Sequence, residues 1–180
     1  AGKFDQFRRN VPYESVMQAF QDLMRQLLSE SNTKLQHWRQ QLQDSLGNNA
    51  QVLIDVIPEL EFILGPQPPL PEVSPAEAQV RFNQTFLKLV GVFAQPEHPL
   101  VIFLDDLQWV DQGSLDLIQQ LLTQTATGQL LIIGAYRDNE VEQDHPLFLA
   151  LEQLRHTQIP ISTIALQPLQ QRHVHQLVAD

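Results

Sequence analysis

Apolar residues recur every three or four positions through the first third of the chain and then give way to short unbroken apolar runs. Val16, Phe20, Leu23 and Leu27 repeat at helical spacing, and Met17, Met24 and Leu28 widen the stripe. Asn10 and Pro12 mark the opening of that helix, one as a capping residue and the other near a first turn that needs no N–H. It should end at 29–31. A second helix follows with Leu35, Trp38, Leu42 and Leu46 on one face, ending at Gly47. A third, shorter one over 48–57 is cut at Pro58, and 58–64 add about two turns before Gly65. Pro66, Pro68, Pro69, Pro71 and Pro75 mark the one clear linker, expected to be extended, stiff and exposed. Ser74-Pro75-Ala76-Glu77 reads as a capping box. The helix it opens should run to about Ala94, with Val80, Phe82, Phe86, Leu89, Val90 and Phe93 apolar.

From Leu100 the period changes. Leu100-Val101-Ile102-Phe103-Leu104 is a continuous apolar run with β-branched and aromatic members, expected as a strand buried on both faces of a parallel sheet. It runs straight into Asp105 and Asp106. A helix with Leu115, Ile118, Leu121 and Leu122 inward should open at 111–114. A second buried strand over 129–136 ends in Arg137-Asp138-Asn139-Glu140. Asp144-His145-Pro146 should cap a helix to about His156, and 159–166 read as a third strand, broken by Pro168 before a last helix over 170–179. Gly2-Lys3-Phe4-Asp5 looks like the tail of one more strand. Strand–helix alternation from Leu100 onward argues for an α/β fold with a parallel sheet.

The two aspartates are the first chemical signal. Ligands of open α/β sheets bind beyond the carboxyl ends of the strands, and a desolvated carboxylate is costly unless it is paired, hydrogen-bonded or near a cation. The pattern fits a Walker B motif, in which Asp105 holds Mg²⁺ through water and Asp106 orients or polarises the attacking water. The bland alternative, that both simply cap a loop after a buried strand, fits the apolar-run-plus-two-acids pattern equally well. A formal net charge of −10 and a pI near 4.9 argue against a nucleic-acid surface. Cysteine is absent, which removes disulfides, thiol catalysis and Cys-ligated zinc. No apolar run approaches the ~20 residues of a membrane helix, and residues 1–10 are polar and charged, unlike a signal peptide. His173 and His175 lie two apart on an expected helix and do not share a face for a metal. Lys3, Arg8 and Arg9 form a small basic cluster, read as solvated surface, with a phosphate contact as the sharper alternative. Trp109 is expected to pack beneath the site and Asp111 to cap the following helix.

Residues 100–111 (LVIFLDDLQWVD) resemble the Walker B block, DDxxWxD, of signal-transduction ATPases of the STAND class within the AAA+ superfamily. Four further blocks look like the ATPase region of large bacterial, especially cyanobacterial, multidomain signalling kinases. They are 2–13 (GKFDQFRRNVPY), 57–66 (IPELEFILGP), 93–99 (FAQPEHP) and 133–140 (IGAYRDNE). In such proteins a serine/threonine kinase domain lies upstream, and sensor and histidine-kinase modules lie downstream. The resemblance implies a P-loop NTPase-type parallel sheet flanked by helices, with a helical insertion after its first helix. It also implies ATP and Mg²⁺ as ligands, and a polar sensor group near the γ-phosphate, which by position is Arg137, with Asp138 or Asn139 less well placed. A surface ion pair of Arg137 with Asp138 or Glu140 is the alternative.

One departure from that family is plain. A Walker A loop needs G-x-x-x-x-G-K-S/T. Of Gly2, Gly47, Gly65, Gly91, Gly113, Gly128 and Gly134, only Gly2 precedes a lysine, and Phe4 follows that lysine. The chain, which does not begin with Met, therefore reads as a segment starting after Walker A, incomplete at its N-terminal side. The expected division is an ATPase core over 1–166 (helical segment 12–64, linker 65–75, Walker B and sensor strands 100–166) and the start of a helical lid over 167–180. With the P-loop strand absent, the strand at 161–166 should be separated by a gap, or a non-native closure, from the one at 130–136, leaving an aggregation-prone apolar edge. The implied function is a cytoplasmic ATP-driven regulatory switch, with little ATP affinity in these residues alone. A catalytically inactive scaffold is the alternative. The expected partners are neighbouring domains of the same polypeptide, with self-association as a second class, and neither nucleic acid nor membrane.

Overall fold

The computed structural model describes residues 1–7, 12–124 and 129–167. It is an α/β fold built on a three-stranded parallel sheet. Strand β1 is Gly2–Lys3, β2 is Leu100–Asp105 and β3 is Leu130–Gly134, in the spatial order β1-β2-β3. The register places Gly2 beside Leu104, Lys3 beside Asp105, and Leu104 beside Gly134. Because all three strands run the same way, their carboxyl ends meet at one edge of the sheet, which is where the polar residues following each apolar run are gathered.

Between β1 and β2 the described residues form five α-helices: α1 (Glu14–Leu28), α2 (Asn32–Leu46), α3 (Ala50–Ile54), α4 (Glu59–Leu64) and α5 (Pro75–Phe93). Helix α6 (Gln112–Gln124) links β2 to β3, and α7 (Pro146–Arg155) follows β3. The periodic stripes become the core. Phe20, Met24, Leu42, Leu46, Leu53, Leu60, Ile63, Phe86 and Leu89 are almost fully buried, and the rings of Phe20 and Phe86 meet edge to face at 4.8 Å between centroids. Ser74 accepts from the Glu77 N–H while the Glu77 carboxylate accepts from Ser74, so the capping box expected from sequence opens α5. The proline segment has no regular structure and is mostly exposed, and the Arg81 guanidinium donates to the Pro71 carbonyl at 3.3 Å and 3.4 Å.

Several expectations are corrected. Helix α1 begins at Glu14, not at Pro12, after Tyr13 in the left-handed region (φ 68°). The Tyr13 N–H donates to Ser114 Oγ at 3.2 Å, a partner 101 residues away that no local pattern announces. The proposed cap Asn10 lies outside the described residues, as do Arg8, Arg9, His173, His175 and the expected helix at 170–179. The segment 159–166 is not a strand: it has no ladder partner among the described residues, and Ile164 and Leu166 are 84% and 90% exposed. β-Branched composition gives a segment the capacity for a strand, but only an adjacent edge in register turns that capacity into structure.

Strand β2 is buried on one face only. Ile102 and Leu104 face the core, whereas Val101, Phe103, Leu131 and Ile133 form a bare apolar face, each between 41% and 55% exposed. The topology accounts for this. Both crossovers, β1 to β2 and β2 to β3, step across the sheet in the same direction, and right-handed crossovers in one direction put their helices on one side. The other side receives no helix from these connections.

Candidate functional site

The site is assembled where the three strands end. β2 places Asp105 on its last residue, and the chain then turns sharply. Asp106 sits in the left-handed region (φ 54°, ψ 43°), a conformation that Asp adopts more readily than most side chains but that still carries strain. Its N–H donates to Asp105 Oδ1 at 2.9 Å. A 3₁₀ turn, Leu107–Trp109, follows and folds back over β3, with the Leu107 N–H bonded to the Ala135 carbonyl at 2.9 Å. Gly134 permits that approach, since a Cβ there would lie 2.4 Å from Leu107 Cδ1. Trp109 packs against the hydrophobic core, as expected. Asp111 caps α6: its Oδ1 accepts from the Ser114 N–H (2.8 Å) and its Oδ2 from Ser114 Oγ (2.6 Å).

Two cations and one amide converge on these acids. Lys3 Nζ is 3.1 Å from Asp106 Oδ2 and 3.8 Å from Asp105 Oδ2. Lys3 owes its position to β1, held by the Ser15 hydroxyl on its carbonyl (2.8 Å) and by the close seating of Gly2 under α1. A Cβ on Gly2 would lie 2.1 Å from the Ser15 carbonyl oxygen. Arg137 follows β3. Its Nε is 4.0 Å from Asp106 Oδ1, and its closer partner is Glu140 Oε1, 2.9 Å from Nη1. Arg137 thus makes the ion pair with Glu140 that was the alternative reading from sequence, and it also faces the site. Asp138 and Asn139 lie in the 3₁₀ turn Asp138–Glu140, where the Asn139 N–H bonds Asp138 Oδ1 at 3.0 Å.

The third contributor is Gln108, which sequence reasoning did not single out. It is 1% exposed. Its Nε2 donates to Asp106 Oδ1 at 3.0 Å and its Oε1 accepts from the Arg137 N–H at 3.3 Å. Its backbone carbonyl accepts from His145 Nε2 at 3.1 Å, while His145 Nδ1 accepts from the Leu147 N–H at the start of α7. The hydrogen bonds from Gln108 and then Lys3 hold the Asp106 carboxyl below the ordinary aspartate value, outweighing the opposing effect of burial; the charges of Lys3 and Arg137 act in the same direction. The same hydrogen bond and the charges of both aspartates raise Lys3 above the ordinary lysine value. A polar residue between Leu107 and Trp109 in a tight turn was the only sequence hint at Gln108. Lys3 was visible, but was grouped with Arg8 and Arg9 instead of with the strand end it occupies.

Asp105 and Asp106 are hard oxygen donors, the former more open to solvent (40% against 18% of the side chain). No group of three or more His, Cys, Asp or Glu able to hold a metal exists among the described residues. Such a set fits Mg²⁺, which keeps most of its water and takes one or two carboxylates together with substrate phosphates. It does not form a closed protein cage. No helix among the described residues is long and apolar enough to cross a membrane.

Comparison with known proteins agrees with this geometry. Residues 1–133 match the family model described as an AAA ATPase domain. Over 121 residues the chain is 38% identical to hybrid signal transduction histidine kinase G of Dictyostelium discoideum; this covers 67% of the chain and 4% of that protein. The chain therefore spans a small part of the relative it matches. No solved structure matches. With a family match over well over half its length and a parallel sheet whose strand ends gather the acids, the chain belongs to the AAA ATPase domain family.

Proposed function

We propose that the chain is the regulatory ATP-binding and ATP-hydrolysing module of a multidomain signalling protein of the STAND class, and that residues outside these 180 supply the Walker A loop. The observation that carries this reading is the convergence of Asp105, Asp106 and Arg137 at the carboxyl edge of one parallel sheet, on residues 100–111 that read as Walker B. In this reading Asp105 holds hydrated Mg²⁺ and Asp106 orients the attacking water. Arg137 leaves Glu140 to meet the γ-phosphate. Bound Mg²⁺ would supply charge neutralisation at the β- and γ-phosphates. Lys3 balances the two carboxylates until a cation takes over that task. Residues 1–166 form the core and 167–180 begin a lid, which nucleotide would hold closed against the core and release after hydrolysis. The setting is cytoplasmic and the partners are neighbouring domains of the same polypeptide, which by the resemblance include kinase modules.

The test is Mg-ATP binding and turnover by the natural polypeptide that carries these residues. Tight binding lost in an Asp105→Ala, Asp106→Ala double variant supports the reading; equal binding by both overturns it. The 180 residues alone should bind ATP weakly, since they lack the phosphate cradle, and sub-micromolar affinity by calorimetry would contradict that. A catalytically silent docking module is the second reading. The observation favouring it is Phe62, 72% exposed on α4 within the helical segment 12–64.

A further inference from the structure

We infer that Gln108 is a positioning residue for the hydrolytic step: its side-chain amide fixes the Asp106 carboxylate and ties it to the start of the Arg137 loop. The inference rests on the role of Asp106 given above.

A primary amide buried to 1% exposure must satisfy both ends within the protein, because an unpaired buried polar group costs stability. Here the two partners differ in kind and so set the amide's orientation. The NH₂ faces a carboxylate oxygen, which can only accept when ionised, and the carbonyl oxygen faces a backbone N–H, which can only donate. The turn that carries it is pinned as well, because its backbone carbonyl accepts from His145 Nε2. His145 Nδ1 must be unprotonated to accept from the Leu147 N–H, so the ring proton resides on Nε2 and is directed at Gln108. The turn after β2, the loop after β3 and the first turn of α7 are thereby joined through one side chain and its carbonyl.

Asp106 lies in a left-handed conformation immediately after a strand, and its carboxylate depends on side-chain partners for its orientation. Gln108 engages Oδ1 with a neutral donor, closer than the Arg137 Nε at 4.0 Å, while the largely exposed Lys3 ammonium, 3.1 Å away, is the partner of Oδ2. An acid that orients a water molecule needs one oxygen fixed and the other available, which here requires the exposed Lys3 ammonium to give up Oδ2 while Gln108 keeps Oδ1. The amide also presents the Arg137 N–H in a set place, so acid and sensor share one support.

The experiment measures ATP turnover of the natural full-length polypeptide, in wild type and in Gln108→Leu, Gln108→Glu and Asp106→Asn. Gln108→Leu removes both side-chain bonds at similar size. A supporting group lost in this way should lower kcat about 10- to 100-fold with KM for ATP within about threefold. Gln108→Glu keeps the acceptor for the Arg137 N–H but sets a second carboxylate against Asp106. Its kcat should be low at neutral pH and rise towards wild type as acidification protonates the new side chain and restores a donor, a pH profile that a general loss of packing would not produce. A wild type without turnover, or an Asp106→Asn variant with full turnover, would overturn the proposed function and this inference with it. Loss of kcat in Asp106→Asn alone, with kcat unchanged in Gln108→Leu or a pH profile for Gln108→Glu parallel to wild type, would overturn this inference only.

Discussion

Asp106 owes its low carboxyl pKa to hydrogen bonds from Gln108 and Lys3, and that has a consequence for stability as well as for chemistry. Its folded-state value lies below the ordinary 3.8, so the unfolded chain binds the proton more readily. The stabilisation is present above the unfolded value and is lost as the pH falls through the folded one. Lys3 works the other way round: its value is raised above 10.5, so its share is present below that pH and is lost only as the pH climbs through the higher folded value. Acid melting curves of wild type and Asp106→Asn should therefore converge as the pH falls below 3.8, with the variant showing the shallower dependence. Identical slopes would mean that Asp106 is not held by these partners. Asn is the informative replacement because it too tolerates the left-handed conformation that position 106 adopts.

Among the elements, α5 has the start most completely encoded in its own sequence. Ser74, Pro75 and Glu77 meet the capping-box requirements within four consecutive residues, and both reciprocal bonds form. Ser74→Ala should cost about 1 kcal/mol in denaturant unfolding, the usual value of an N-cap. A loss indistinguishable from zero would show that packing alone sets this helix end. The start of α1 contrasts with it. Tyr13 is held by Ser114, itself fixed by Asp111 at the start of α6, so the boundary depends on a tertiary contact and local pattern places it two residues early. The strands divide in the same way. Five apolar residues before Asp105 and four before Gly134 identified β2 and β3, because each run is long enough to specify its own conformation and each finds a parallel neighbour. The run at 159–166 was equally readable as a strand and is not one, since pairing is a property of two segments. The aspartates stood out in the sequence because they end such a run, and Arg137 because its block resembles the sensor strand of that ATPase class. Gln108 was not, because its importance comes from where two other loops pass.

For the molecule as a whole, the one-sided sheet dominates. Val101, Phe103, Leu131 and Ile133 are expected to be comparatively tolerant positions in the isolated chain, because about half of each side chain is already exposed. A Leu131→Thr, Ile133→Thr double variant keeps strand propensity and should change unfolding free energy by no more than about 0.5 kcal/mol per site. It should also reduce self-association in sedimentation velocity, as expected for a smaller exposed apolar patch. A loss of several kcal/mol would show that this face is covered in solution. The other whole-molecule asymmetry lies at the β1 edge of the sheet. β1 contributes only Gly2–Lys3 and the Phe4 N–H to the ladder, against the longer pairing of β2 with β3. Short elements with few hydrogen bonds open at lower free energy than the core around them. Lys3 is carried on that segment, so its ammonium leaves the aspartates whenever β1 frays. Hydrogen exchange at the Phe4 amide, which is bonded to the Asp105 carbonyl, would report that opening. Exchange there faster than in the β2–β3 ladder would make the electrostatic state of the acids a time average, set by the opening of a two-residue strand.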